Sequence, residues 1–539
     1  MIDRNIGTRC EPVVPDVSGI RYRHSLHAFS LCGKVERFRH RVLVSSGAAL
    51  SAFVMSAFPV KAAEPAVSTD VSQINPPVAA VPESAATPDA SASSAARAYA
   101  LDAKYGYKGW IVPFPSYGDT LALDYGNWRT KLAEYGFGFS IQGSTIFQDN
   151  LLNTPSRIPS SGFAPCGPNS LNYNCAGGRS YFGQRPSVMF ANSAFLTYDM
   201  SQHGIPDGQI AVGTNFGVSN DQQYNPNTAR LNSISWYQTL LDKKLEIKAG
   251  YFANLPEFAG TFVGGLVVNP FGPSSSVPIV LGMSPNSIST PNFRIKWNVT
   301  NTLYAQTAIQ RSLPVNGPTG NSIYDEVNTN PTGFRFTSSV PGTRVLSINE
   351  FGYKRPSSPD APFTWLRAGF MYNNSTFPDY SRMLQDPHAT KNGSYGLYLL
   401  GDYQVTQSAP GSPYTAYRGM YVGGSFMYGD PKSTPFTQYY EARAYWVGPF
   451  ASRPTDLLSF VYSHNKTSRN VQSVINNYTA YTNFFAISGA NSITASYTYH
   501  VMPGLYATAG LGYTDKPSLS EFRGEGNALN VLLSLYWII

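Results

Sequence analysis

Three short segments between Lys243 and Arg311 alternate between apolar and polar residues at every second position. The apolar positions are Leu245, Ile247, Ala249 and Tyr251 in the first segment, Phe293, Ile295, Trp297 and Val299 in the second, and Leu303, Ala305, Thr307 and Ile309 in the third. Successive side chains of a strand leave opposite faces, so a period of two indicates β-strands. Because the polar positions include full charges, each predicted strand has one apolar face and one hydrophilic face.

The same alternation recurs along the rest of the chain. Further segments start at Phe137 and include Leu366–Tyr372, Tyr440–Trp446, Leu505–Tyr513 and Val531–Ile539. Soluble sheets can also alternate, but repetition to the final residue is typical of a barrel wall with lipid outside and water inside. The stretch 137–539 accommodates 16 strands of about 10 residues with their connections, and 14 or 18 strands are alternatives.

Composition favours a membrane barrel over a soluble domain or a helical membrane protein. Charged residues make up 13% of the chain and aromatic residues 14%, whereas soluble domains average about 25% charged residues. No run of about 18 apolar residues follows position 62, which argues against membrane-spanning helices. We therefore predict an all-β fold, a transmembrane antiparallel β-barrel of 16 strands over residues 137–539, with a short N-terminal periplasmic helix.

The N-terminus has the layout of an export signal. A basic run at Lys34–Arg41 precedes an apolar run at Val42–Phe58 and the small residue Ala62. This order predicts a signal peptide over residues 1–62, with a membrane anchor as the alternative. Residues 1–62 carry nine basic and four acidic side chains, a net +5, which leaves +2 of the total +7 for the remainder. The remaining chain therefore has no concentrated basic face, and we predict no binding of nucleic acid.

Residues 63–98 are rich in Pro, Ala and Ser. They cannot bury enough apolar surface to offset the entropy lost on ordering, so we predict a disordered linker. Residues 99–136 are the predicted N-terminal periplasmic helical segment, with a helix that Asp124 caps and Gly136 ends. This helix either packs at the periplasmic end of the barrel or acts as a partial plug.

The helix has one predicted apolar side, formed by Trp128, Leu132 and Tyr135 at positions i, i+4 and i+7. Cys166 and Cys175 are the only cysteines after residue 62. Because the chain is predicted to be exported, we expect them to form a disulfide in an extracellular loop. No histidine lies near them in the sequence, which argues against a metal site.

Four segments, taken in order, carry a family resemblance. They are Asn127–Leu132 followed by Gly136, then Trp236–Gln238 with Asp242–Gly250 and Phe258-Ala259, then Gly448–Asp456, and finally Tyr497 with Val501–Leu505. By these residues the chain resembles the carbohydrate-selective, glucose-type porins of Gram-negative outer membranes. The resemblance implies a 16-stranded barrel through which sugars diffuse past a charged and aromatic constriction.

Two positions depart from the pattern of that family. Thr494 and Ala495 stand where an acidic residue is expected before Tyr497, and Lys516-Pro517 stands where the family often has His-Pro. Both departures concern which sugar passes more than they concern the fold.

Alternation assigns charged and aromatic side chains to the inner face of the barrel. A channel for a neutral sugar needs donors and acceptors for its hydroxyls and an aromatic ring to stack on, and it must hold the sugar weakly enough to release it. The predicted pore-lining and substrate-contacting residues are Glu246, Lys248, Arg294, Lys296, Tyr304, Trp365, Arg367, Glu441 and Arg443. For each charged residue the alternative is a solvated lining without selectivity. Loops 148–186 and 314–340 are both candidates for the constriction.

The sequence contains few features that indicate an enzyme. The chain has no G-x-S-x-G, H-E-x-x-H or P-loop motif, and its later histidines are scattered, at His203, His388, His464 and His500. Three functions remain as hypotheses: passive diffusion of mono- or small oligosaccharides or polyols, an anion-preferring or general porin of the same fold, and an outer-membrane barrel enzyme acting on lipid. The second rests on the five basic and two acidic residues of the predicted lumen set.

The expected partners follow from these hypotheses. We predict no cofactor and no metal. We expect contacts with outer-membrane lipid, small sugars and the barrel-assembly machinery, in a multi-pass protein of the cell outer membrane. For the oligomeric state, a monomer and a trimer are both compatible with the sequence.

Overall fold

The computed structural model describes residues 90–109, 119–152, 178–221, 227–261, 276–286, 288–412, 415–482, 484–517, 520–522 and 525–539. Within these ranges, sixteen antiparallel strands close into a barrel in which each strand pairs with its neighbours along the chain. The barrel strands are β1 Phe137–Asn150, β2 Ser187–Asp199, β3 Gln209–Ser219, β4 Thr228–Leu240, β5 Leu245–Phe252, β6 Thr290–Asn298, β7 Leu303–Arg311, β8 Val345–Arg355, β9 Thr364–Pro378, β10 Thr390–Gln404, β11 Gly419–Gly429, β12 Phe436–Val447, β13 Leu457–Thr467, β15 Gly489–Met502, β16 Leu505–Thr514 and β18 Ala528–Ile538.

The remaining elements are not part of the barrel wall. The short strands β14 Phe484–Ala486 and β17 Ser520–Phe522 pair with each other. The helices are α1 Ala90–Tyr105, α2 Trp128–Glu134, α3 Ser276–Val280, α4 Ser322–Thr329 and α5 Arg469–Thr482. No helix within the described ranges combines the length and the apolar character needed to cross a membrane. The predicted all-β, 16-stranded barrel is confirmed.

Strand β9 shows why these sequences form a barrel wall. Leu366 and Phe370 point outward and are 52% and 48% exposed, while Trp365 and Arg367 point inward and are 1% and 4% exposed. Every second side chain therefore lies on the outer face of the barrel, and those between them face the interior. Across the seam between the first and last strands, Ile141 and Ile539 exchange backbone hydrogen bonds of 2.9 and 2.7 Å. The last strand thus closes the barrel against the first.

The helix predicted before the barrel is present as α2. The Asp124 carboxylate accepts hydrogen bonds from the backbone N–H groups of Arg129 and Thr130 at 2.9 and 3.2 Å, which caps the free donors of the first turn. Gly136 follows the helix with φ +82°, a conformation that favours glycine. Burial opposes the charged form, but hydrogen bonds from Thr130 and Arg97 hold the pKa of Asp124 below its ordinary value.

Two details of the N-terminal segment differ from prediction. The predicted linker 63–98 extends too far, because residues 90–98 belong to α1, where Arg97 forms an ion pair of 2.9 Å with Asp124. The predicted apolar side of α2 is wrong at Tyr135, which is 71% exposed. Arg129 and Ala133 are the buried residues of this helix.

A long connection between β5 and β6 folds into the barrel. We call its described residues, 253–261, 276–286 and 288–289, the lumen loop. Leu255, Phe258 and Leu281 of this loop pack against inward side chains of the opposite wall, and α3 lies against β11 and β12. The wall residues of this internal core are Ala308, Leu346, Ile348, Met371, Phe377, Tyr398, Leu400, Met427 and Tyr439. The lumen loop therefore narrows the barrel, a role that the sequence assigned to two other loops.

Of those two loops, the first is only partly described, whereas the second, 314–340, is described throughout. Residues 153–177 of the first candidate lie outside the described residues, and so does the predicted Cys166–Cys175 disulfide. In the second candidate, Glu326 of α4 forms ion pairs with Arg311 at the extracellular end of β7, the shorter being 2.6 Å. The predicted signal peptide 1–62 and the linker up to residue 89 also lie outside the described residues.

Candidate functional site

The centre of the constriction is an ion cluster shared by the barrel wall and the lumen loop. Lys248 of β5 lies 2.5 Å from Oε1 of Glu257, and Arg294 of β6 lies 2.9 Å from Oε2 of the same carboxylate. Residues 248 and 294 face each other across the β5–β6 pair. Since Glu257 is fully buried between two cations, its charge is compensated and it fixes the lumen loop to the wall.

Two members of the cluster remain open to the lumen. Glu246 pairs with Lys296 at 3.0 Å and with Arg294 at 3.4 Å. The side chains of Glu246 and Lys296 are 14% and 16% exposed, whereas those of Lys248, Arg294 and Glu257 are fully buried. Of the four predicted site residues on β5 and β6, two are therefore accessible to a solute and two hold the structure.

The predicted residues on β7 and β9 form a second group that also holds the lumen loop. Arg367 donates from Nη1 to the carbonyl of Phe258 at 2.5 Å and from Nη2 to the carbonyl of Gly260 at 2.6 Å. Its guanidinium lies 3.7 Å from the ring centroid of Trp365. Trp365 Nε1 in turn donates to the hydroxyl of Tyr304 at 3.1 Å.

Trp365 does not offer a free face to a sugar. It is 1% exposed. Arg367 stacks on it, and Nζ of Lys354 also lies over it at 4.6 Å from the centroid. Cations bind the faces of aromatic rings, so these two residues occupy the surface that a sugar ring would need. Tyr304, which is 6% exposed, donates its hydroxyl to Glu350 at 2.9 Å.

Gln306 links the two groups. Its Nε2 atom donates to the backbone carbonyl of Glu257 at 2.9 Å and to Oε1 of Glu350 at 2.8 Å. Lys296 also lies over the ring of Tyr304, with Nζ 5.2 Å from the centroid. The structure thus brings together seven of the nine predicted residues around the edge of the lumen loop.

The other two predicted residues, Glu441 and Arg443 of β12, form a cluster of their own. Arg443 donates to both carboxylate oxygens of Asp402 at 2.8 Å and lies 2.5 Å from Glu441. All three side chains are buried. A bidentate pair of this kind is rigid, so these residues fix the β10–β12 wall against which α3 packs.

Sequence reasoning missed three acidic residues of the site: Glu257, Glu350 and Asp402. Glu257 lies in the lumen loop, where no alternation assigns a direction, while Glu350 and Asp402 lie on β8 and β10, where alternation could have found them. With these and with Lys354, the set has six basic and five acidic residues, a net charge of +1. The predicted set alone carried +3.

The chain before the barrel also reaches this site. Lys248 Nζ donates to the Tyr107 hydroxyl at 3.0 Å and to the Lys108 carbonyl at 2.9 Å. Arg294 Nη1 donates to the Gly109 carbonyl at 3.2 Å. Burial lowers the pKa of Lys108, and the nearby charge of Asp102 partly offsets this. Burial also raises the pKa of Asp102 to about 6, with Arg129 and Lys108 opposing the shift.

One histidine occupies a polar cluster at the periplasmic end. His500 Nδ1 lies 2.7 Å from the Thr455 hydroxyl, and its Nε2 atom lies 2.9 Å from Oδ2 of Asp119. Asp119 also accepts hydrogen bonds from the Gly504 N–H, at 3.0 Å, and from the Tyr506 hydroxyl. These contacts tie the segment before α2 to the β12–β13 and β15–β16 connections. Within the described ranges, no group of side chains suited to a metal ion is present.

Among solved structures, one with a TM-score above 0.5 shares the architecture of this barrel. The high-pH structure of Pseudomonas putida OprB is 16% identical, with a TM-score of 0.61, and the match covers 80% of this chain and 99% of that one. Its low-pH structure is 14% identical, with a TM-score of 0.45 over 78% and 98% of the two chains. A Salmonella typhi OmpF complex with daunomycin is 8% identical, with a TM-score of 0.44 over 75% and 99%.

Among curated proteins, no match is found. The family model described as "Carbohydrate-selective porin, OprB family" matches residues 194–531, which is more than half of the chain. This match covers β3 to β16 and the whole lumen loop. The chain therefore belongs to the carbohydrate-selective porins of the OprB family and is an outer-membrane β-barrel through which carbohydrates diffuse.

Proposed function

We propose that the channel passes small neutral carbohydrates, namely mono- and small oligosaccharides or polyols, and that Glu246 and Lys296 are the groups that touch them. The observation that carries the proposal is the partial exposure of this ion pair at the edge of an otherwise buried cluster. Sugar hydroxyls can donate to the carboxylate and accept from the ammonium group. Because each charge already has a partner, the pair holds a passing solute weakly, which conduction requires.

The buried members of the predicted set act indirectly. Lys248, Arg294 and Arg367 hold the lumen loop, and Trp365 supports Arg367. Outside the wall, exposed apolar side chains such as Leu366 and Phe370 are the surface for outer-membrane lipid. A barrel of this topology also requires the barrel-assembly machinery for insertion, which we include in the proposal.

An anion-preferring channel is the second candidate, and the charge balance counts against it. The five basic residues that suggested it all lie within a set whose net charge is +1, and four of them are ion-paired with carboxylates. Family and fold indicate a channel rather than an enzyme.

Liposome swelling with the purified protein and a size series of sugars tests the proposal. We expect rapid swelling with monosaccharides and slower swelling as the sugar grows. The double variant E246Q/K296Q should change the relative rates among sugars of equal size. The matched control is D207N/K243Q, which removes an exposed ion pair in the periplasmic turns. Identical sugar preferences in the two double variants would remove Glu246 and Lys296 from the proposal.

Reversal potentials under a salt gradient test the anion alternative. A channel with a nearly neutral constriction should show weak ion selectivity. Strong anion selectivity, together with no competition by sugars, would favour the second candidate.

A further inference from the structure

Residues 105–109 run along the inner wall of the barrel. The Tyr105 carbonyl accepts a hydrogen bond from Thr197 of β2, and Gln209 of β3 both donates to the Gly106 carbonyl, at 2.8 Å, and accepts from the Lys108 N–H, at 3.0 Å. The Tyr107 hydroxyl lies 3.2 Å from Oγ of Ser233 on β4. With the bonds from β5 and β6 described above, five adjacent strands hold this short stretch, which we call the wall segment.

Apolar contacts fix the same stretch. The ring of Tyr107 lies 4.6 Å from the ring of Phe195 and packs with Ala211, and Tyr107 is 8% exposed. Phe195 and Ala211 are inward-facing residues of β2 and β3. The wall segment is therefore inside the barrel and not on its rim.

Lys248 explains why the segment stays in place. An ammonium group has three N–H donors. In Lys248 one pairs with Glu257 of the lumen loop, and the other two bind Tyr107 and Lys108 of the wall segment. Lys248 Nζ also lies 4.3 Å from the centroid of the Tyr107 ring, so two hydrogen bonds and a cation–π contact attach the wall segment to β5. The same cation thus holds both the lumen loop and the wall segment.

Gly109 lies where the wall segment meets the lumen loop. Its φ is +108°, and a Cβ atom there would lie 2.7 Å from Nζ of Lys248 and 3.0 Å from Oε1 of Glu257. A β-branched residue is strongly disfavoured at such a φ. The approach of the two segments therefore depends on glycine at this position.

We propose that the wall segment is a second constricting element, which sets the width of the pore together with the lumen loop. A chain packed on a sheet takes roughly 10 Å of depth from the space in front of it. The lumen loop packs its apolar side chains on β7 to β12 and is tied through Glu257 to β5 and β6. The wall segment lies next to it and covers β2 to β6, so the two elements together narrow the channel around most of its circumference. The inference deepens the proposed function, since it names a determinant of the size limit for the solute.

The test is single-channel conductance in potassium chloride, which reports pore width independently of any sugar. The variant G109V should displace the wall segment while the barrel wall stays closed. Because its new side chain would also meet Glu257 of the lumen loop, Y107A is the variant that leaves that carboxylate untouched. Conductance should rise about twofold, because ion flow scales with the open cross-section. The control is G411V, since a Cβ at Gly411 meets no atom within 4 Å.

Y107A provides a second route to the same release, in case G109V does not fold. It removes the contact with Phe195 and one bond from Lys248. Folding is checked by the shift in gel mobility on heating. A rise in conductance in either folded variant, with larger sugars admitted in swelling assays, supports the inference. Unchanged or reduced conductance in folded G109V and Y107A overturns it. If wild-type liposomes fail to swell while conductance still rises, the proposed sugar transport fails and the constricting role stands.

Discussion

Lys248 and Glu257 are nine residues apart in the chain, and their charged atoms lie 2.5 Å apart inside the barrel with both side chains fully buried. The strand that carries the cation ends at Phe252, so the chain turns back into the lumen almost immediately. Buried pairs of this kind contribute little net stability compared with apolar residues, but the loss of one partner is expensive. The pair therefore defines one position for the lumen loop.

The first prediction concerns E257Q, which removes this charge while keeping the shape of the side chain. Lys248 and Arg294 lose their shared partner, so we expect the free energy of unfolding to fall by about 3 to 5 kcal/mol. The lumen should also become more anion-selective. Urea titration and reversal potential measure the two effects. E134Q, on an exposed residue of α2, is the matched control, and equal behaviour of the two variants would contradict the role of Glu257.

The second prediction concerns R367K. Lysine cannot reproduce the two parallel donations of a guanidinium, so the carbonyls of Phe258 and Gly260 would lose at least one bond. We expect larger fluctuations of the open-channel current, because the lumen loop is less firmly held. R382K, on a side chain that is 60% exposed, is the control. Current noise identical to that of the wild type would show that Arg367 does not restrain the loop.

The third prediction concerns Trp365. Alternation suggests a stacking surface for sugars, but the covered ring predicts otherwise. In W365F we expect relative swelling rates among sugars to stay the same, while stability falls by about 1 to 3 kcal/mol through lost packing and the lost bond to Tyr304. Swelling assays and urea titration measure these quantities. A selective loss of flux for one sugar would show that the ring is in contact with the solute.

The fourth prediction concerns pH. The pKa of Asp102 is raised from 3.8 to about 6, so the folded state binds this proton more tightly than the unfolded state does. The stability of the N-terminal segment should therefore decline as pH rises from about 4 to about 6, by about 3 kcal/mol in all, and should stay low above that window. The D102N variant has no carboxylate to ionise and should lose this decline.

Trypsin cleavage within residues 97–108 measures the effect. In the wild type, cleavage should be faster at pH 7.5 than at pH 5 after correction for the activity of the protease. In D102N the two rates should be similar. D207N, on an exposed carboxylate, should behave as the wild type does. A wild-type segment equally resistant at both pH values would disprove the prediction.

The sequence was informative wherever a strand period applied. Alternation assigned Lys248, Arg294 and Arg367 to one face, and the structure places them on the inner wall. It could not reveal that each is covered, because the covering atoms belong to the lumen loop and the wall segment, whose paths depend on contacts distant in sequence. Glu257 was missed for the same reason. Contact with sugar stays a prediction for Glu246 and Lys296.

The apolar core inside the barrel has a thermodynamic consequence. Lipid surrounds the outer face, so exposure of that face to lipid involves no hydrophobic driving force. Leu255, Phe258 and Leu281, in contrast, are shielded from the water of the channel, and their release would hydrate them. Hydration of apolar surface raises heat capacity. Detachment of the lumen loop should therefore appear in calorimetry as a step in heat capacity while the strands remain paired. The lumen loop and the barrel can then unfold as separate units.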